Sequence, residues 1–226
     1  MLKFSPILLA IIWAVAMYYM SAWRTKSEMD QKSTPLNDPP LQALTDQMAD
    51  VLDLRQIKVH VYEIDPINGL AVPDGRIFIT RGFMRKYYNG EITAPELASV
   101  IAHELGHVAL GHTKRRMIDF SGQNAIRVAL AMVLSRFLGG FGVMIANTLT
   151  RLIAARVSRK DEYEADAYAA ALLTKSGIGV EHQISMFEKL GKLSGVGGQP
   201  MAWMMSHPKT EDRIGAIKNL RDGWTT

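Results

Sequence analysis

Two histidines bracket a glutamate in His103-Glu104-Leu105-Gly106-His107, inside a stretch that reads APELASVIAHELGHVALG from Ala94 to Gly111. On a helix, positions 103 and 107 stand one turn apart on the same face. Both imidazoles then reach one ion about 2 Å from each ring nitrogen, with Glu104 beside it. This is the geometry that the HExxH pattern encodes. From ordinary His and Glu usage such a pentapeptide arises by chance in roughly one of a few hundred chains of this length. A buried His-Glu-His face without a metal would also leave expensive polar groups to satisfy. Cysteine is absent, so any metal is held by histidines and carboxylates, and disulfides, thiolate zinc sites and cysteine nucleophiles are excluded.

A catalytic zinc site needs a third protein ligand and an open position for water. A histidine at position 113 would extend the pattern along the chain, but Thr113 stands there, and His112 is one residue short and off the ligand face. A second helix is the remaining source. The stretch SRKDEYEADAYAAALL from Ser158 offers Glu162 and Asp166 one turn apart, followed by an alanine-rich face that allows close packing. Glu162 is the expected third ligand. Asp166, one turn further on the same face, is expected to accept a hydrogen bond from a ligand histidine and fix its tautomer. Glu164 points elsewhere. Without the HExxH helix these acids would read as an ordinary solvated face.

Elements that position such a site are legible around it. With 226 residues, 48% of them apolar, the chain buries one good core. Its net charge of +4 is scattered without a basic stripe, which argues against nucleic acid as a partner. Thr93 followed by Glu96, with Pro95 in the first turn, marks a helix start by a capping box. Leu41, Leu44, Met48, Val51 and Leu52 recur at helical spacing, and Ile57, Val59 and Val61 alternate as a half-buried strand does. Asn68-Gly69 and Pro73-Asp74-Gly75 punctuate the chain before a second strand, Arg76 to Thr80. If that strand lies at the sheet edge by the cleft, Arg76, Ile77, Phe78 and Ile79 hold an extended substrate by backbone pairing. The fold expected is α+β and predominantly helical, with a small sheet beside the HExxH helix.

The N-terminal run from Phe4 to Trp23 is uncharged and about long enough to cross a ~30 Å bilayer, with Tyr18, Tyr19 and Trp23 as an aromatic belt. Residues 1–26 are read as an uncleaved membrane anchor, with a signal peptide cleaved near Ala14-Val15-Ala16 as the alternative. Residues 27–40 are read as a polar, proline-bearing tether, and residues 41–226 as the folded domain. A second apolar tract, Val128 to Leu149, contains Arg136 and Gly139-Gly140 and separates His103 from Glu162. A full crossing there would put the ligands on opposite sides of a bilayer, so the tract is read as paired helices over the core or cleft. The methionine-rich Met201 to Met205 reads equally as cleft rim or as core loop.

The chain resembles the HtpX-like and CaaX-prenyl-protease group of membrane-associated zinc metallopeptidases, of gluzincin type. The resemblance is carried by NGLAVPDGRIFITRGF (Asn68 to Phe83), ELASVIAHELGHVALGH (Glu96 to His112), SRKDEYEADAYA (Ser158 to Ala169) and SHPKTEDRI (Ser206 to Ile214), in the family's order. It implies a zincin-like domain with one zinc per chain at His103, His107 and Glu162, acid/base work at Glu104, and support from Asp166. It also implies that His207 and Arg213 reach back toward the site as polar groups. Gly69-Leu70 departs from the family's more frequent Ala-Phe, and Asp74 stands where a glycine is usual, which bears on substrate fit.

Read physically, Arg213 is the fixed cation that a tetrahedral oxyanion wants, and His207 has a second possible role as a displaceable fourth ligand. The function expected is a zinc endopeptidase acting on peptides and unfolded or membrane proteins. By resemblance its setting is envelope quality control, at the bacterial inner membrane facing the periplasm and touching lipid through the anchor. The competing class is a membrane-tethered, chaperone-like binding protein with a latent or structural zinc.

Overall fold

The computed structural model describes residues 5–113, 115, 131, 133–194, 203, 207 and 210–224, and the chain divides into two compact units. The first comprises residues 1–31 and 113–158. Its helix α1 (Ser5–Gln31) contains nearly all of the run read as a membrane anchor. No helix among the described residues is long and apolar enough to cross a membrane. That finding corrects the expectations of a transmembrane anchor, of lipid contact through it and of a single-pass inner-membrane location. In α1 the aliphatic residues are interleaved with Trp13, Tyr18, Tyr19 and Ser21, and the helix continues unbroken through Arg24, Lys26, Glu28 and Asp30. These residues dilute the apolar run on which the expectation rested.

Of the second apolar tract, residues 133–138 are helical and Gly139 turns the chain at a φ of +54°. A long helix, α5 (Gly140–Lys175), follows, and its C-terminal half belongs to the second unit. Residues 128–130 and 132 of the tract lie outside the described residues.

The second unit comprises residues 32–112 and 159–226. Its four-stranded sheet consists of β1 (Ser33–Pro35), β2 (Val59–Tyr62), β3 (Gly69–Ala71) and β4 (Ile77–Thr80) in the order β1-β2-β4-β3. The central pair β2 and β4 is parallel, with Val59 opposite Ile77, and both outer strands are antiparallel to their neighbours. Residues 27–40, read as a tether, contain the end of α1, strand β1 and Asp38, whose carboxylate accepts the Leu41 N–H at 3.1 Å as the cap of α2 (Pro39–Val51).

The edge-strand expectation for Arg76 to Ile79 is corrected. Strand β4 has β2 on one side and β3 on the other, and Ile77, Phe78 and Ile79 are buried. An unbroken apolar run is the pattern of a strand covered on both faces. Arg76 precedes the strand, pairs with Asp74 at 2.9 Å and lies over the Phe78 ring. The sheet edge beside the helices is β3, which the asparagine and glycine at its start disguise as a turn.

After α3 (Arg81–Tyr88) comes the central helix α4 (Ala94–Ala109), packed on α2, on β3 and on α6 (Glu181–Ser194). The last helix, α7 (Thr210–Trp224), packs in turn on α6. Every residue of α4 from Glu96 to His107 is buried, so its polar groups must be satisfied from within the fold. The capping box is formed: Thr93 Oγ1 accepts the Glu96 N–H, and the Thr93 N–H donates to Glu96 Oε2 at 2.7 Å. Glu96 also accepts Ser185 Oγ at 2.6 Å and Lys189 Nζ at 2.7 Å, tying the start of α4 to α6.

Burial works to raise the Glu96 carboxyl, but the hydrogen bonds from Lys189, Ser185 and Thr93 outweigh it and hold the group below its ordinary value of 4.5. A depressed carboxyl contributes stability above the unfolded value, and that contribution is lost as pH falls through the folded one. Glu96→Gln should therefore lower stability at pH 7 by about 1–3 kcal/mol. The gap to wild type should narrow as pH falls below the ordinary value of 4.5 and through the lower folded one, as read by urea unfolding across pH.

Candidate active site

The polar face of α4 meets α5 at a point of near backbone contact. A Cβ built on Gly106 would lie 3.0 Å from the Ala165 carbonyl oxygen and 3.1 Å from Ala165 Cα. Glycine on one helix and alanine on the other let the axes approach closely, which brings Glu162 and Asp166 over His103 and His107. Glu162 and Asp166 are both buried, as are His103, Glu104 and His107.

Four donor atoms converge there. His103 Nε2 and His107 Nε2 are 3.1 Å apart, Glu162 Oε2 is 3.4 Å from His103 Nε2, and Glu162 Oε1 is 3.5 Å from His107 Nε2. Tetrahedral bonds of about 2.1 Å separate neighbouring ligand atoms by roughly 3.4 Å, so this nitrogen-nitrogen-oxygen set fits one zinc-sized ion. His207 completes the group, with Nδ1 at 3.3 Å from His103 Nε2 and 2.7 Å from Glu162 Oε2. Glu104 Oε1 is fully buried and accepts no hydrogen bond among the described residues. His207 Nε2 stands 3.5 Å from it.

Behind the donors stands a charged layer. Asp166 Oδ1 lies 2.9 Å from His103 Nδ1, leaving Nε2 to face the cluster. Arg213, from α7, grips both oxygens of Asp166 through Nε and Nη2 at 2.6 and 2.7 Å, sends Nη1 to within 3.3 Å of Glu162, and rests on the Phe187 ring. Burial alone would raise the Asp166 carboxyl, but the Arg213 guanidinium holds it below its ordinary range. Burial likewise opposes charge on Glu162, yet hydrogen bonds from His103 and His207 hold it far below the usual carboxylate range. For His103 burial favours the neutral ring, and the carboxylates of Asp166 and Glu162 overcome it, raising the group to about 9. Nε and Nη2 of Arg213 face Asp166 while Nη1 faces Glu162 and the His207 carbonyl, so its charge is shared between the layer behind the donors and one donor.

Three features were missed in the sequence. Trp203, the one described residue of the methionine-rich stretch, is buried, donates its backbone N–H to Ile67 O at 3.1 Å and stacks on His207 at 4.2 Å between ring centroids. Gly69 lets β3 lie against the site: a Cβ there would come 3.1 Å from Trp203 Cζ3 and 3.4 Å from Glu104 Cγ. His112 and Glu164, set aside as pointing away from the ligand face, meet each other at 3.0 Å. A tryptophan among methionines and a glycine opening a strand carry no local signal of such contacts.

A buried His-Glu-x-x-His helix faced by a carboxylate from a second helix is the arrangement of a metalloendopeptidase, and comparison with known proteins agrees. The model of peptidase family M48 matches residues 35–221, and the chain belongs to that family. It is 32% identical over 198 residues to the metalloprotease LoiP of Escherichia coli, covering 85% of this chain and 75% of that one. It is 30% identical to the metalloprotease YcaL of the same organism, covering 72% and 61%. A more distant relative is the human mitochondrial metalloendopeptidase OMA1, 25% identical over 76% of this chain and 34% of that one.

The buried charges make a sharp stability test. Arg213→Met would take from Asp166 its two-pronged cationic partner, and breaking a buried pair from one side costs about 3–5 kcal/mol. Urea unfolding of the metal-free protein should show a loss of that order, and Arg213→Met combined with Asp166→Leu should recover part of it.

Proposed function

We propose that the chain is a zinc-dependent endopeptidase of unfolded polypeptides, with zinc held by His103, His107 and Glu162. The observation that carries this reading is Glu104 Oε1, a buried carboxylate oxygen without a hydrogen bond among the described residues, beside converging metal donors. A purely structural zinc site has no use for such a group. A zinc ion held by these residues would supply Lewis-acid polarisation of the scissile carbonyl.

The chain's own groups do the rest. Glu104 takes the proton of the attacking water and returns it to the leaving amine. His207 Nε2, 3.5 Å from Glu104 Oε1, faces the developing oxyanion. Asp166 keeps the His103 Nε2 lone pair toward the metal, and Arg213 holds Asp166 in turn. Strand β3, at the sheet edge next to Glu104, offers its backbone to an extended substrate, a mode that tolerates many sequences. Sequence tolerance favours unfolded proteins as substrates, and the family resemblance supports envelope quality control as the setting.

A second reading has one observation in its favour. His207 Nδ1 stands within the donor group itself, so His207 serves as a fourth ligand that closes a latent site. His207→Ala would then lower the zinc coordination number and raise activity, and an unchanged coordination number removes this reading.

Casein hydrolysis with zinc content measured in parallel tests the main proposal. Wild type should cleave, lose activity on chelation and regain it with zinc. Glu104→Gln should keep one zinc per chain and lose turnover by at least 10²–10⁴-fold, the size of a general acid/base contribution. Retained turnover in that variant would dismiss Glu104 as the base.

A further inference from the structure

The two histidines of the HExxH helix are supported differently. His103 has a buried carboxylate directly behind it. His107 has a second imidazole: its Nδ1 lies 3.1 Å from His112 Nδ1, and His112 Nε2 lies 3.0 Å from Glu164 Oε2. His112 is only 1% exposed. It reaches this position because α4 ends at Ala109 and Gly111, at a φ of +70°, turns the chain back beside its own last turn. That backbone region is open to glycine at little cost. Glu164 sits at the rim of α5, next to Lys160 at 3.4 Å.

We propose that His112 is a positioning residue for the metal site, relaying the Glu164 carboxylate to His107. The inference rests on the reading of His103, His107 and Glu162 as ligands. If His107 Nε2 is bare toward the metal, its one ring proton sits on Nδ1 and is donated to His112 Nδ1. A neutral imidazole has one donor and one acceptor, so His112 then carries its proton on Nε2 and donates it to Glu164. Each bond fixes the next, and chained hydrogen bonds polarise one another. The result orients the His107 ring and makes it a better donor to the metal.

His112, Asp161 and Glu164 also form a group able to hold an ion, with His112 Nε2 at 4.0 Å from Asp161 Oδ1. Direct hydrogen bonding between His112 and Glu164 accounts for that geometry without one, and the experiment separates the two cases.

Zinc affinity of the full chain, measured by competition with a chelator, is the primary readout. Cobalt(II) visible spectra and unfolding of the metal-free protein accompany it. His112→Phe keeps a ring and removes both bonds, and should weaken zinc about 10- to 100-fold, the usual effect of losing such a support, with a shifted cobalt spectrum. His112→Gln keeps an acceptor and a donor and should recover most of the loss. Glu164→Ala, at a partly exposed position that does not threaten folding, should weaken zinc by a smaller factor.

Wild-type affinity in His112→Phe and Glu164→Ala would overturn the relay. So would a Gln variant no better than Phe, with metal-free stability lowered equally in both, because the role would then be packing. Two zinc ions per wild-type chain, one of them lost in Glu164→Ala, would overturn it in favour of a second ion. His103→Ala separates the relay from the reading beneath it. That variant should lose zinc with or without a relay, and unchanged affinity there would overturn the metal site together with the inference.

Discussion

The near contact of α4 and α5 at Gly106 and Ala165 is the constraint on which the rest of the site depends. A helix pair with ordinary side chains at its crossing keeps its axes about 8–10 Å apart or more. Here the Ala165 backbone stands where a side chain at position 106 would go. Only at that separation can a glutamate side chain on α5 span to two imidazoles on α4. The glycine inside the His-Glu-Leu-Gly-His motif is therefore a packing residue, and the alanines after Glu162 serve the same end. Glu162 lies three residues before Ala165 and Asp166 directly after it, so one carboxylate faces the front of His103 and the other its back.

That approach carries a cost, because it concentrates charge in the core. Three histidines, two acids of α5, Glu104 and an arginine lie within a cluster that water scarcely reaches. Unpaired, such groups are among the most expensive a fold can bury. The layering resolves most of it: Arg213 neutralises Asp166, Asp166 orients His103, and Trp203 covers His207 with an apolar ring. What remains unresolved faces the donor cluster, where a divalent cation would balance the Glu162 carboxylate. The strain of the site thus points inward to a single place, and the surrounding helices hold the donors there by ordinary apolar packing.

The small sheet does a different job. Its parallel centre, β2 against β4, is covered and apolar and acts as a wall. Strand β3 is short, begins with Gly69 and lies flush against α4. Because Gly69 has no side chain, the strand lies where even a Cβ would stand 3.4 Å from Glu104 Cγ. The departure from the family's more frequent alanine is matched by Trp203, whose ring takes up the space.

Local chemistry was legible in the chain alone, because helical period and capping are short-range rules. The HExxH spacing put His103 and His107 on one face, Thr93 and Glu96 marked the helix start, and the i to i+4 spacing of Glu162 and Asp166 put two acids on one stripe. Hydropathy read along the chain was less dependable: the run in α1 suggested a membrane span that no described helix supplies. Only the tertiary structure decided which strand is the edge, since an apolar run states that a strand is buried but not what buries it. It alone joined Arg213 to Asp166, forty-seven residues apart, stacked Trp203 on His207, and turned His112 back at Gly111 to meet Glu164. Those contacts are set by how helices cross, and a crossing is fixed by shape complementarity across distant segments, which residue spacing along one chain does not encode.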